Sequence, residues 1–180
     1  MERLHGGLTR LVRWAALAGG WWLLLFSAMT CVEIVGRKLF NVSLQGIDEY
    51  GAYTLAILAA LGFSLALAEG SHTRIDLLLV RLPAPVQALL NLAAAVLLAA
   101  VAVLLLLRGF DVVAQSWRFM SVANSPLQTP LWIPQAVWLA ALGLFTLLAG
   151  VLAARALTLA FSDWRQLNRE FGPAHSEGGE

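Results

Sequence analysis

Four ionisable side chains and a glycine fall within the eight residues Glu69-Gly70-Ser71-His72-Thr73-Arg74-Ile75-Asp76, in a chain that is otherwise mostly hydrocarbon. Catalysis there would need a nucleophile beside a base, a pair of acids, or metal ligands able to converge. His72 has no such company: His5 and His175 sit in terminal segments, no His-x-x-x-His spacing occurs, and Cys31 is the sole cysteine. A lone cysteine excludes an internal disulfide, and scattered histidines argue against a zinc site. The serines lack a placed base, and no glycine-rich loop cradles a phosphate. No catalytic residue, cofactor or metal is expected. Two further polar sets stand out. Glu33 and Arg37 lie four apart on one helix face, with the carboxylate toward the N-terminus, the better order for an ion pair. Asp48 and Glu49 open an apolar run, where negative charge complements the free amides of a helix start.

The elements that must hold these groups follow from composition. Of 180 residues, 59% are hydrophobic and 13% charged, and the mean hydropathy is +0.75. A soluble domain is charged at about a quarter of its positions, so the chain is an integral membrane protein. A net charge of +1 with scattered basic residues gives no footprint for nucleic acid. Cys31 is expected to act as a small apolar packing residue. Ala28-Met29-Thr30-Cys31 is a poor match to a lipoprotein cleavage box, and the apolar stretch around it is too long for a removable signal.

An all-α fold with four transmembrane helices is predicted, at residues 14–36, 50–69, 86–107 and 133–154. The first holds about twenty residues between Trp14 and Glu33, enough for the roughly 30 Å of bilayer hydrocarbon. Ahead of it, Leu4, Leu8, Leu11 and Val12 share one helix face while Arg3, Arg10 and Arg13 lie elsewhere. That pattern suits a short amphipathic helix in the membrane interface, in contact with lipid headgroups. Tyr50 and Tyr53 stand at interfacial depth in the second span, and Gly70 suits a helix end. Pro83 and Pro85 fit the first turn of the third helix, which carries Asp111, Gln115 and Arg118 at helical spacing past its apolar part. Asn124-Ser125-Pro126, Pro130 and Pro134 mark a loop before the fourth span. Residues 1–162 are expected to form one membrane domain, and 163–180 a polar, disordered cytoplasmic tail.

Four crossings put both ends on one side. With the N-terminus inside, cytoplasmic segments hold Arg3, Arg10, Arg13, Arg74, Arg81, Arg155, Arg165 and Arg169, against Arg37, Lys38, Arg108 and Arg118 outside. The excess favours N-in, C-in. An autonomous transporter would need broken helices or charges at the midplane, often in repeated halves. The last three spans have uninterrupted apolar centres and show no repeat. The alternative in that class is a small proton-coupled exporter using Glu33, though Glu33 lies close to a helix end. Helices apolar at the centre and polar at their ends suit an accessory or scaffold subunit.

The series Glu33, Arg37, Phe40, Asn41, Ser43 and Glu49, then Gly70-Ser71-His72-Thr73-Arg74-Ile75-Asp76, then a proline-rich loop before the fourth span, resembles the small membrane subunit, DctQ type, of the tripartite ATP-independent periplasmic (TRAP) transporters. The likeness runs from Glu33 to the end of the fourth span. Its most specific part is His-x-Arg-Ile-Asp after the second span. The resemblance implies a bacterial inner-membrane complex with a large DctM-type membrane subunit and a periplasmic DctP-type binding protein. In such a complex an organic acid is imported with sodium by an elevator motion, and the small subunit widens the scaffold without binding substrate. Gly46-Ile47 departs from the family, where many members carry a tryptophan before the acidic pair.

On that basis Glu33 and Arg37 are expected to pair within the chain or across the subunit interface, or else to be solvated helix-end charges. Asp48 and Glu49 either compensate the helix dipole or touch a partner. Trp132 is expected as an interfacial anchor rather than a docking residue. His72, Arg74 and Asp76 are placed to close a cytoplasmic corner or to grip the large subunit.

Overall fold

The computed structural model describes residues 2–41, 46–69, 82–162 and 164–171. The described chain is helical apart from its connections, and four helices are long and apolar enough to cross a membrane. We number the helices α1 (Glu2–Phe40), α2 (Ile47–Ala68), α3 (Ala84–Arg118), α4 (Trp132–Ser162) and α5 (Trp164–Phe171). α4 packs along both α2 and α3, while α1 lies chiefly along α2. The layer therefore runs α1, α2, α4, α3. One end carries Glu49 and the α3–α4 loop, and the other carries Glu69 and α5.

Helix limits follow local chemistry. α1 stops at Phe40, and Asn41 behind it takes a left-handed φ of 51°, a conformation that asparagine tolerates better than most residues. Pro83 precedes α3 and Pro85 sits in its first turn, where a missing N–H leaves no bond broken. The Pro83 carbonyl accepts from the amides of Val86 and Gln87 at 2.9 and 3.1 Å. Past the apolar part of α3 the helix continues through Asp111 and Gln115 to Arg118.

Packing inside the layer relies on small residues and buried hydroxyls, as expected where lipid tails compete equally for apolar surface. Leu67, Ala102, Phe145, Leu148 and Ala149 form one cluster, and Ala60, Ala141 and Leu142 form another. Gly109 lets α3 approach Leu139 and Trp138 of α4 so closely that a Cβ would lie 2.9 Å from Leu139 Cδ1. The hydroxyl of Thr146 donates to the carbonyls of Leu142 and Ala102, at 2.9 and 3.1 Å. Between α1 and α2, Trp22 Nε1 donates to Thr54 Oγ1 at 3.0 Å.

Two expectations are corrected at the ends of the chain. The N-terminal segment is no separate interfacial helix: α1 is continuous for 39 residues, about 58 Å. Leu8 packs against the Leu67 cluster and Val12 is fully buried, while Leu11 is 54% exposed, so part of this apolar face meets protein. The C-terminal segment is not wholly a disordered tail either. Trp164–Phe171 is helical, and Leu167 and Phe171 are buried with Ala88 and Ala156.

Candidate functional site

Among the described residues, the charged groups singled out in the sequence lie at the two ends of the layer, none at its centre. At the Glu49 end, α1 delivers Glu33 and Arg37, α2 delivers Asp48 and Glu49, and α4 begins with Trp132. Glu33 is only 7% exposed, and its Oε1 lies 3.6 Å from Arg37 Nε, whose side chain is largely solvent-facing. A carboxylate so buried needs a polar partner, and the guanidinium one turn on supplies one. Asp48 is exposed in the first turn of α2 and Glu49 is half-buried beside it.

Glu49 does more than compensate a helix dipole. Its carboxylate accepts a hydrogen bond from the Tyr53 hydroxyl at 2.8 Å and another from the Ser125 hydroxyl. Tyr53 is one turn along the same helix, whereas Ser125 belongs to the α3–α4 loop. The bond therefore ties the start of α2 to a distant connection. The loop is shaped to reach it: Val122 and Pro130 bridge, the Ala123 amide donates to the Thr129 carbonyl at 2.9 Å, and Leu131 donates to Ser121 at 3.0 Å. Leu127 at the tip lies over Gly46, where a Cβ would collide with it. At the base of the loop, the rings of Trp117 and Trp132 meet edge to face, with centroids 4.7 Å apart, so Trp132 braces α3 against α4. Removing either donor should loosen this latch. Ser125→Ala is expected to speed hydrogen exchange at the Gln128 amide, which donates to the Ser125 carbonyl, while amides in the middle of α3 keep their protection. Equal exchange in both regions, before and after substitution, would show that the Glu49 bond does not hold the loop.

At the Glu69 end, Arg13 Nε lies 3.8 Å from Glu69 Oε1, both side chains well exposed. Asn91, 4% exposed, donates from Nδ2 to Asn168 Oδ1 at 3.1 Å, and Asn168 donates to the Ala84 carbonyl at 2.8 Å. These bonds clamp α5 to the start of α3. His72, Arg74 and Asp76 lie outside the described residues. Among those described, no three His, Cys, Asp or Glu side chains come together as metal ligands.

Residues 26–159, from midway along α1 to within α4, match the family model described as tripartite ATP-independent periplasmic transporters, DctQ component. The chain belongs to the DctQ family. DctQ proteins are transporter components rather than a family of enzymes, which accords with a multi-pass membrane protein whose polar groups sit at helix ends. No curated protein and no solved structure gives a match.

Several functional-looking contacts of this DctQ chain were not anticipated. Glu49 and Tyr53 are spaced by four, a signal that could have paired them. Asn91 is the one amide in a long run of Ala, Leu and Val, and a lone polar residue in such a run asks for a partner. Nothing local in the sequence links Ser125 or Leu127 to α2.

Proposed function

We propose that this chain is the small scaffold subunit of a sodium-coupled TRAP transporter in a bacterial inner membrane. It accompanies a large DctM-type membrane subunit that imports an organic acid handed over by a periplasmic DctP-type binding protein. The observation carrying the reading is that the family match runs from midway along the first span into the fourth helix. The apolar centres of those spans support a packing role over conduction. The substrate never needs to meet this chain; its helices broaden the fixed wall along which the large subunit's mobile domain slides.

The excess of arginine at the Glu69 end supports the N-in, C-in orientation, which makes the Glu49 end periplasmic. In that orientation Asp48, Glu49 and Trp132 stand on the side where a binding protein arrives, and the proposed role of His72, Arg74 and Asp76, on the cytoplasmic side, is to close the turn or to grip the large subunit. The exporter alternative draws nothing from Glu33, whose carboxylate is paired at a helix end rather than poised at the midplane.

Co-expression with the large subunit tests the reading. Tagged chain is expected to recover its partner from detergent extracts, and replacing His72 and Asp76 by alanine should lower recovery without altering which acid the assembled transporter takes up. Changed substrate preference with intact assembly would contradict the scaffold role.

A further inference from the structure

A groove of about 590 Å³ runs between α1 and α2 at the Glu69 end. Leu17, Gly20, Trp21 and Leu24 of α1 and Leu65 of α2 line it, and Arg13 and Glu69 stand at its mouth. From Arg13 to Leu24 the helix rises about 16 Å, roughly half of the hydrocarbon thickness. On α1 the lining of the groove ends at Leu24. We propose that this groove holds one acyl chain of an anionic phospholipid, whose phosphate is bound by Arg13 and Arg10.

Depth and charge select that occupant. A transmembrane helix from another protein needs a track across the whole bilayer, whereas this trough ends one leaflet in, the reach of a single acyl chain. Arg10 and Arg13 fall on the same helix face as Leu17, Gly20 and Leu24 by their spacing, and both are exposed. Glu69 is the carboxylate at the mouth, and its approach to Arg13 Nε at 3.8 Å is loose enough for a phosphate to share the guanidinium. Two guanidiniums against one carboxylate leave a net positive charge over an apolar slot. Basic pockets between membrane helices recognise anionic lipid headgroups on this principle. The inference requires only that the helices span a bilayer, and it holds in whichever leaflet the groove opens.

The test uses the full-length chain reconstituted into vesicles of equimolar phosphatidylglycerol and phosphatidylethanolamine, re-extracted in mild detergent, with the retained lipid counted by native mass spectrometry. Wild-type chain should retain phosphatidylglycerol in preference. Arg10→Gln and Arg13→Gln should each lower that preference about fivefold, with Arg13→Lys restoring most of it. Gly20→Leu puts a side chain into the trough at a position where a Cβ meets nothing within 4 Å, and should remove the bound lipid with both charges intact. Arg165→Gln, an exposed charge on α5, should change nothing. An equal loss in Arg165→Gln would mean diffuse surface attraction and overturn the proposal. Unchanged lipid in Gly20→Leu would overturn it too, and if that variant also loses the large subunit, the groove holds protein.

Discussion

Gly46→Val is expected to release the α3–α4 loop from the start of α2. Gly46 has a φ of +93°, a region that costs an L-residue with a Cβ about 1–2 kcal/mol. Leu127 also occupies the space its side chain would need, and overpacking of this kind costs about 1–3 kcal/mol. Keeping the loop docked would therefore cost about 2–5 kcal/mol in total, and the Glu49–Ser125 bond together with the Leu127 contact opposes only part of that. Fast hydrogen exchange should follow at Ala123, Gln128 and Leu131, whose amides hold the loop's own turns. Gly46→Ala paired with Leu127→Ala removes the overlap but not the backbone strain, so it should recover part of the protection. Full protection in Gly46→Val would mean that the loop is held elsewhere. The glycine thus lets the loop lie down on the start of α2.

Leu167→Asp should detach α5 and leave the four spans intact. Leu167 is fully buried among Ala88, Ala156 and Phe171, and an unpaired carboxylate placed there would cost several kcal/mol. An eight-residue terminal helix can escape that cost by leaving, so the loss is capped at the free energy of its docking. Hydrogen exchange should rise across 164–171 to the level of an unstructured peptide, while protection around Phe145 and Leu148 is unchanged. Asn168→Ala should move α5 the same way by a smaller amount, because losing Asn168 leaves the buried Asn91 without its partner, at about 1–3 kcal/mol, while the exposed Ala84 carbonyl turns to solvent. If protection in the spans collapses along with α5, the helix is part of the bundle's core and not a clamp on its end.

The four spans were legible because hydrocarbon thickness fixes their length and because so little of the chain is charged. Glu33 and Arg37 were legible as neighbours, since helical spacing alone brings them together. What escaped the sequence depends on distant partners. Residues 164–171 are too short and too polar to read as a stable helix in isolation, yet Leu167 and Phe171 share one face and find apolar cover from α3 and α4. The N-terminal face of Leu8 and Val12 was amphipathic as expected, but periodicity cannot tell whether protein or headgroups meet it. The Glu49 latch joins residues 76 apart in sequence, beyond anything local spacing can report.

The central claim is that this chain supports transport without performing it, and uptake into proteoliposomes tests that most directly. Vesicles carrying the chain alone under an inward sodium gradient should accumulate no organic acid, with or without the binding protein. Vesicles that also carry the large subunit should accumulate it when the loaded binding protein is added outside. Gradient-driven uptake by the chain alone would contradict the claim.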